Sequence, residues 1–311
     1  MKQLILLVKP TSILLALVII TVYIFIFLVS PFIRNESSYV AASLDKEKKL
    51  EETASPRIIF VGGSNLALGL DCQVLNKKTQ LNIVNMGLHA GLGLDFMLNE
   101  AIDGIKAGDT VILSIEYFLE EGNKKLIAQL AIVNPTAISK MNLSLLDRFR
   151  ILMSQLQLCV SSAFYILIDK FDDPIYNRQG FNEYGDLKTH FNQKKPNVPS
   201  GNILFVNTNY NNGVKKINNF IEKAKAKKAK VYFTYPAFQR STYNLNKIKL
   251  KNLAGQYNNE LNCTILGNLE TFVLDDKYFF DTVYHLDSIG IHKRTEIMLQ
   301  LMEKSNIINK P

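Results

Sequence analysis

The sequence predicts an α/β protein: a three-layer α/β/α arrangement around a mainly parallel sheet, preceded by one N-terminal transmembrane helix. Three observations carry this expectation. Short apolar runs bounded by turn residues recur along the chain, as buried strands do. Stretches with apolar residues at helical spacing alternate with them, the rhythm of a parallel sheet covered on both faces. Near the N-terminus, Thr11 to Ile33 is apolar and carries no charge.

That first run, "TSILLALVIITVYIFIFLVSPFI", would reach roughly 34 Å as a helix, enough to cross a bilayer core. A cleaved signal peptide would have a shorter apolar region, closely followed by small residues. Here the small residues of "YVAAS" come only after the polar "RNESS". Residues 1–33 are therefore expected to be a retained anchor. Lys2 and Lys9 precede the run and Arg34, Lys46, Lys48 and Lys49 follow it, so flanking charge selects no orientation. Residues 34–56 are polar and charged, the composition of a partly helical stalk, closed by Pro56.

A domain over 57–311 follows. Strands are expected at "RIIFV" from Arg57, "LNIVNMG" from Leu81, "DTVILSIEYF" from Asp109, "VYFTYP" from Val231 and "CTILG" from Cys263. Between them "GLDFMLNEAIDGIKAGD", "KINNFIEKAKAKKAK" and "YNLNKIKLKNLAGQYNNEL" have helical spacing. Residues 119–201 break the rhythm and are expected to be an insertion between core strands, capping the site. Its long apolar helix has Asp147, Arg148, Arg150 and Asp169 in or beside it, which favours core or membrane-surface packing over a second span.

With 311 residues, 47% of them hydrophobic, the chain can pack a core, which excludes global disorder. The net charge of +8 raises the question of nucleic acid. The densest basic run, Lys223 to Lys230, sits at a helix end, where cations are favoured. It lacks the interleaved aromatics of a single-strand binder, so nucleic acid is not an expected partner. Cys72, Cys159 and Cys263 have no metal-ligand spacing and are expected to be buried thiols. No metal and no organic cofactor are expected.

Three segments carry possible chemistry. The first strand runs into "VGGSN", which places Ser64 at its carboxyl end, where open parallel sheets hold their ligands. The second leads into "NMGLHAGLG", Asn85 to Gly93, whose glycines allow close approach of backbone to a substrate and whose amides suit an oxyanion hole. This is not a dinucleotide fingerprint, because Phe96 stands where the third glycine would be. Late in the chain, "FFDTVYHLDSIG" has His285 as a base for a serine and Asp281, four residues earlier, to orient it. Asp287 suits the N-cap of the helix that follows. His89, His190 and His292 are lone histidines, and structural roles are expected for them.

Strand-GGSN, a glycine loop after strand two and a late Asp/His pair together resemble the SGNH (GDSL-like) hydrolase superfamily. The resemblance implies Ser64 as nucleophile, His285 as base and Asp281 as its orienting carboxylate. It implies Gly91, with Gly87 as alternate, as a backbone donor to the oxyanion. The family's Gly-x-Asn-Asp block is missing: the third strand ends "SIEYF", with Glu116 and Tyr117, so Asn65 or a backbone amide would have to substitute. Three residues rather than the family's two separate the Asp from the His. The matching blocks span about 57–117 and 231–296. The late "YHL…G…RT" pattern is similar to the membrane-anchored branch, the D-alanyl transfer protein and the alginate-type O-acetyltransferases. That likeness implies an extracytoplasmic domain tethered to a bacterial cytoplasmic membrane, N-terminus inside. It also implies an acylated or acyl-accepting surface glycan as substrate and a multi-pass membrane-bound O-acyltransferase as partner. The expected function is thus an acyl-ester enzyme, O-acyltransferase or esterase. A catalytically inactive protein of the same fold, binding glycan or assembling an acylation complex, is the rival expectation.

Overall fold

The computed structural model describes residues 2–24, 37–167, 173–196, 203–206 and 209–308, with backbone alone over 2–9 and 162–167. Seven strands occur among them: β1 (Arg57–Gly62), β2 (Asn82–Asn85), β3 (Thr110–Ser114), β4 (Lys230–Thr234), β5 (Phe238–Gln239), β6 (Thr264–Leu266) and β7 (Val273–Leu274). The helices are α1 (Lys2–Tyr23), α2 (Ala42–Glu52), α3 (Ser64–Ala67), α4 (Cys72–Thr79), α5 (Leu94–Ile102), α6 (Lys124–Val133), α7 (Leu145–Leu167), α8 (Asn211–Ala226), α9 (Arg240–Glu260) and α10 (Ser288–Lys304).

The central sheet has five parallel strands in the order β2-β1-β3-β4-β6, and β5 and β7 form a separate parallel pair. Ile59, Val61, Val111 and Leu113 face one apolar cluster, with α5 and α8. Ile58, Phe60 and Ile112 face a second, with α4 and α10. Alternate side chains of each strand thus enter opposite cores, which is how a parallel sheet comes to be buried on both faces. The strand order reverses at β1, so the ends of β1 and β3 frame the crevice where α/β sheets place ligands.

The segment expected to be a stalk is instead part of the domain from residue 37 onward. Tyr39, Val40, Ala41, Ala42 and Leu50 are buried. Its many charges hid a narrow apolar stripe. Lys46, buried with them, is satisfied by the carbonyls of Asn85 (2.9 Å) and Gly185 (2.7 Å) and lies 4.6 Å from the Phe181 ring. The buried Arg57–Asp109 pair (3.2 Å) fastens the other end, with Arg57 also donating to the Thr53 and Gly104 carbonyls. Within 119–201, α6 and α7 are helical, and 173–196 holds turns and short 3-10 segments. Leu145, Leu146, Phe149 and Met153 are exposed on α7. The basic run ends α8, where Lys225 and Lys227 reach carbonyls of Asn262 (2.6 Å) and Ile102 (2.7 Å).

At the N-terminus α1 contains Pro10, and Ile13, Leu14, Leu15, Leu17 and Ile19 are exposed. Among the described residues no helix is long and apolar enough to cross a membrane. The expected span over 11–33 continues into residues 25–33, which lie outside the described residues.

Candidate active site

Ser64 opens the short helix α3 directly after β1. Two glycines precede it for reasons of space. A Cβ on Gly62 would lie 2.1 Å from the Ser114 carbonyl oxygen of β3. One on Gly63 would lie 2.4 Å from Glu116 Oε1. Close approach of β3, rather than a left-handed turn, fixes this pair: Gly63 is extended, with φ −93° and ψ −150°.

The turn is held from beneath. Arg294 of α10, fully buried, donates from Nη2 to Asn65 Oδ1 and Ser114 Oγ, both at 3.0 Å. Thr295 Oγ1 accepts from the Asp71 amide at 3.0 Å. The backbone of the C-terminal loop meets the same turn, where the Leu286 amide donates to the Leu68 carbonyl at 3.0 Å. Tyr284 accepts from the Tyr117 amide at 3.2 Å. Gly290 is needed because a Cβ there would lie 2.6 Å from the Tyr278 carbonyl oxygen. Each position of the late sequence pattern has a contact that explains it.

The C-terminal loop presents the candidate base. His285 Nδ1 lies 2.8 Å from Asp281 Oδ1, the contact expected despite the extra residue between them. Tyr176, from the insertion, donates its hydroxyl to Asp281 Oδ2, and its oxygen lies 3.0 Å from His285 Nδ1. Among the described residues the His285 ring hydrogen-bonds through Nδ1 alone, which leaves Nε2 for proton transfer. Burial pushes the Asp281 carboxyl up; the bond and charge of His285, with the Tyr176 hydroxyl, outweigh this and hold it below 3.8. Asp287 turns away from the imidazole and caps α10 through the Gly290 amide at 2.7 Å.

A cavity of about 490 Å³ opens here, lined by Asp281, His285, Tyr176, His89 and Tyr39 among others. Ser64 is 7% exposed and is not among the lining residues. Tyr39 brings the docked N-terminal segment into the site, its ring 6.0 Å from His89 and 5.6 Å from Tyr176. Tyr176 thus enters the site, whereas Phe181 packs on Tyr39 and Tyr184 bonds Asn76, holding the insertion to the core.

The candidate oxyanion donors are all engaged. The Gly87 amide donates to Asn85 Oδ1 (2.9 Å) and the Gly91 amide to His89 Nδ1 (2.9 Å). The Asn65 amide donates to Glu116 Oε1 (3.1 Å), and its side-chain amide to the Ser114 carbonyl (2.9 Å). Glu116 is buried and its Oε2 has no partner among the described residues. His89 is the cavity residue that a lone-histidine reading passes over; its place in the glycine-rich loop after β2 is the signal that marks it. His190 is buried behind the C-terminal loop, donating to the Leu286 carbonyl at 3.0 Å, and His292 is exposed beside Glu296. Among the described residues no group of three or more His, Cys, Asp or Glu side chains is arranged to hold a metal ion.

In comparisons with known proteins, no family model matches the chain and no curated protein matches its sequence.

Proposed function

We propose that this chain is a membrane-anchored acyl-ester enzyme of SGNH type that transfers or removes acyl groups on a cell-surface polysaccharide. The observation that carries the reading is the 2.8 Å Asp281–His285 hydrogen bond, beside the turn that follows the first strand of a parallel sheet. In the reaction, Ser64 Oγ attacks the ester carbonyl carbon and passes its proton to His285 Nε2, while the carbonyl π pair moves to oxygen. Collapse expels the alcohol, which takes the proton from His285, and leaves the acyl group on Ser64. A sugar hydroxyl or water then attacks, with His285 again as base. Asp281 keeps the Nδ1–H tautomer and steadies the imidazolium, and Tyr176 steadies Asp281.

The uncharged run over 11–33 and the exposed apolar residues of α1 support the anchor. The exposed apolar residues of α7 support a domain that sits close to the bilayer. A tether raises the effective concentration of a membrane-delivered acyl donor, which favours transfer over scavenging hydrolysis, and a multi-pass O-acyltransferase is the proposed donor partner. Fluorophosphonate labelling tests the site: labelling that needs both Ser64 and His285 is expected. Deletion of the gene tests direction: ester-linked acyl groups on the glycan should fall, and a rise would mean that the enzyme removes them.

A second reading has its own support. The spent amides of Gly87, Gly91 and Asn65, with the Glu116 carboxylate against Gly63, suit a non-catalytic protein that binds glycan or assembles an acylation complex. Absence of any serine labelling would favour it.

A further inference from the structure

Resting on the acyl-ester reading above, we infer that His89 supplies the oxyanion hydrogen bond through its Nε2–H, in place of the Gly91 amide. The Gly91 N–H donates to His89 Nδ1 at 2.9 Å. A nitrogen that accepts carries no proton, so the ring's proton is on Nε2. The amide's donor capacity is not lost but relayed: it fixes a ring whose far side is a donor. Burial first, and the nearby charge of His285 second, lower the His89 pKa to about 4, which keeps that ring neutral at physiological pH.

Position agrees with the role. His89 and His285 line the same cavity. The two loops flank the Ser64 turn: a Cβ on Gly87 would lie 2.5 Å from Leu66 Cβ, and the Leu286 amide is bonded to Leu68. In this inference the ester enters the cavity between the two rings and is reached from the Ser64 turn that the two loops flank. They carry opposite tautomers, His285 with Nδ1–H toward Asp281 and His89 with Nδ1 toward Gly91. One ring takes the Ser64 proton on Nε2. The other offers an Nε2–H that keeps its proton throughout and bonds the oxygen onto which the carbonyl π pair moves. A neutral imidazole is suited to this, because it donates strongly without protonating the intermediate.

Two measurements on the full-length chain in detergent decide the matter. The first is the ring ¹⁵N spectrum of His89 at pH 7, where an Nε2–H tautomer is expected and an Nδ1–H or doubly protonated ring would overturn the inference. The second is turnover of 4-nitrophenyl acetate by His89→Phe and His89→Gln, with thermal midpoints recorded for each. The Phe variant should lose roughly 100-fold in kcat with KM within about twofold, and Gln, which restores an N–H, should regain roughly tenfold. A Phe variant within about threefold of the parent kcat, or a Gln variant no better than Phe, sinks the inference. If the Phe variant does not fold, His89→Asn and the parent spectrum decide instead. Failure of the underlying reading looks different: the parent protein itself would neither label with fluorophosphonate nor turn over.

Discussion

The two flanks of the Ser64 turn are built by different means. On the C-terminal flank, Asp281 and His285 are four residues apart and their contact closes within one short loop. On the other flank Asn65 is engaged across long sequence distances, with Glu116 and Ser114, while the Gly87 and Gly91 amides are taken up by side chains two residues away. On the proposed reading, the proton-handling pair is preset within one loop, whereas the surroundings of Asn65 depend on the distant group that follows β3. That group is Glu116, an acid rather than the amide side chain that the resemblance would place there.

Experiments can break or sharpen that contrast. The largest effect is expected for Ser64→Ala, with a loss in kcat on the order of 10⁶-fold on a chromogenic ester, since nothing else attacks the carbonyl. Retained turnover would dissolve both flanks at once. Asp281→Asn should cost roughly 10⁴-fold, through the wrong tautomer of His285, with folding unchanged. Glu116→Gln should act in the other direction. It keeps the acceptor for the Asn65 amide and puts an amide N–H where an unpartnered acid oxygen stands beside Gly63. A kcat gain of roughly tenfold, about 1.4 kcal/mol, is expected, and a loss of that size would mean that the carboxylate has work of its own.

Tyr176→Phe should lower kcat by about tenfold, the cost of one hydrogen bond to a partly exposed carboxylate. The stability that Asp281 contributes is present above pH 3.8, its unfolded value, and is lost as pH falls through its lower folded value. The Phe variant, lacking one of the bonds that lower that value, should therefore lose less stability on acidification, as acid titrations of circular dichroism would register.

The last test separates the site from its frame. Glu100, buried under α2 with Oε1 unpartnered, has its pKa raised from 4.5 to about 8 by burial, with Glu47 adding and Lys140 and Lys46 opposing. A raised carboxylate gives its full stability below 4.5 and loses it as pH rises toward 8, by at most about 1.4 kcal/mol per pH unit. Urea unfolding at pH 5, 7 and 9 should show that decline, and Glu100→Gln should flatten it. A slope that survives the substitution would assign it elsewhere.

The central sheet was legible because each of its strands is a short apolar run and the helices between them keep their period; the boundaries of its five strands moved by a residue or a few, and the two-residue strands β5 and β7 were too short to read. The Asp281–His285 contact was legible because both partners lie in one loop. The docking of 37–52 was not. Buried Lys46 and Arg57 look solvated until the carbonyls that receive them, from β2, the insertion and α5's end, are assembled in space. Tyr176 was visible only as one aromatic among several in the insertion, and its bond to Asp281 spans 105 residues. The fate of the glycine amides could not be foreseen either, since it turns on where side chains such as Asn85 and His89 fold back.

The docked N-terminal segment also sets a leash. Ser37, Ser38 and Tyr39 form part of the cavity wall, and α1 ends at Tyr23. The span proposed over 11–33 leaves four residue steps between Ile33 and Ser37, and a fully extended chain covers at most about 3.5 Å per step, so the cavity wall can stand no more than about 14 Å from the end of that span. With the span in a bilayer, as proposed, the site works close against the lipid surface. It would sweep the innermost polymer of the envelope and leave the outer layers untouched, so the radial distribution of acyl groups through the wall would be written by the length of this linker.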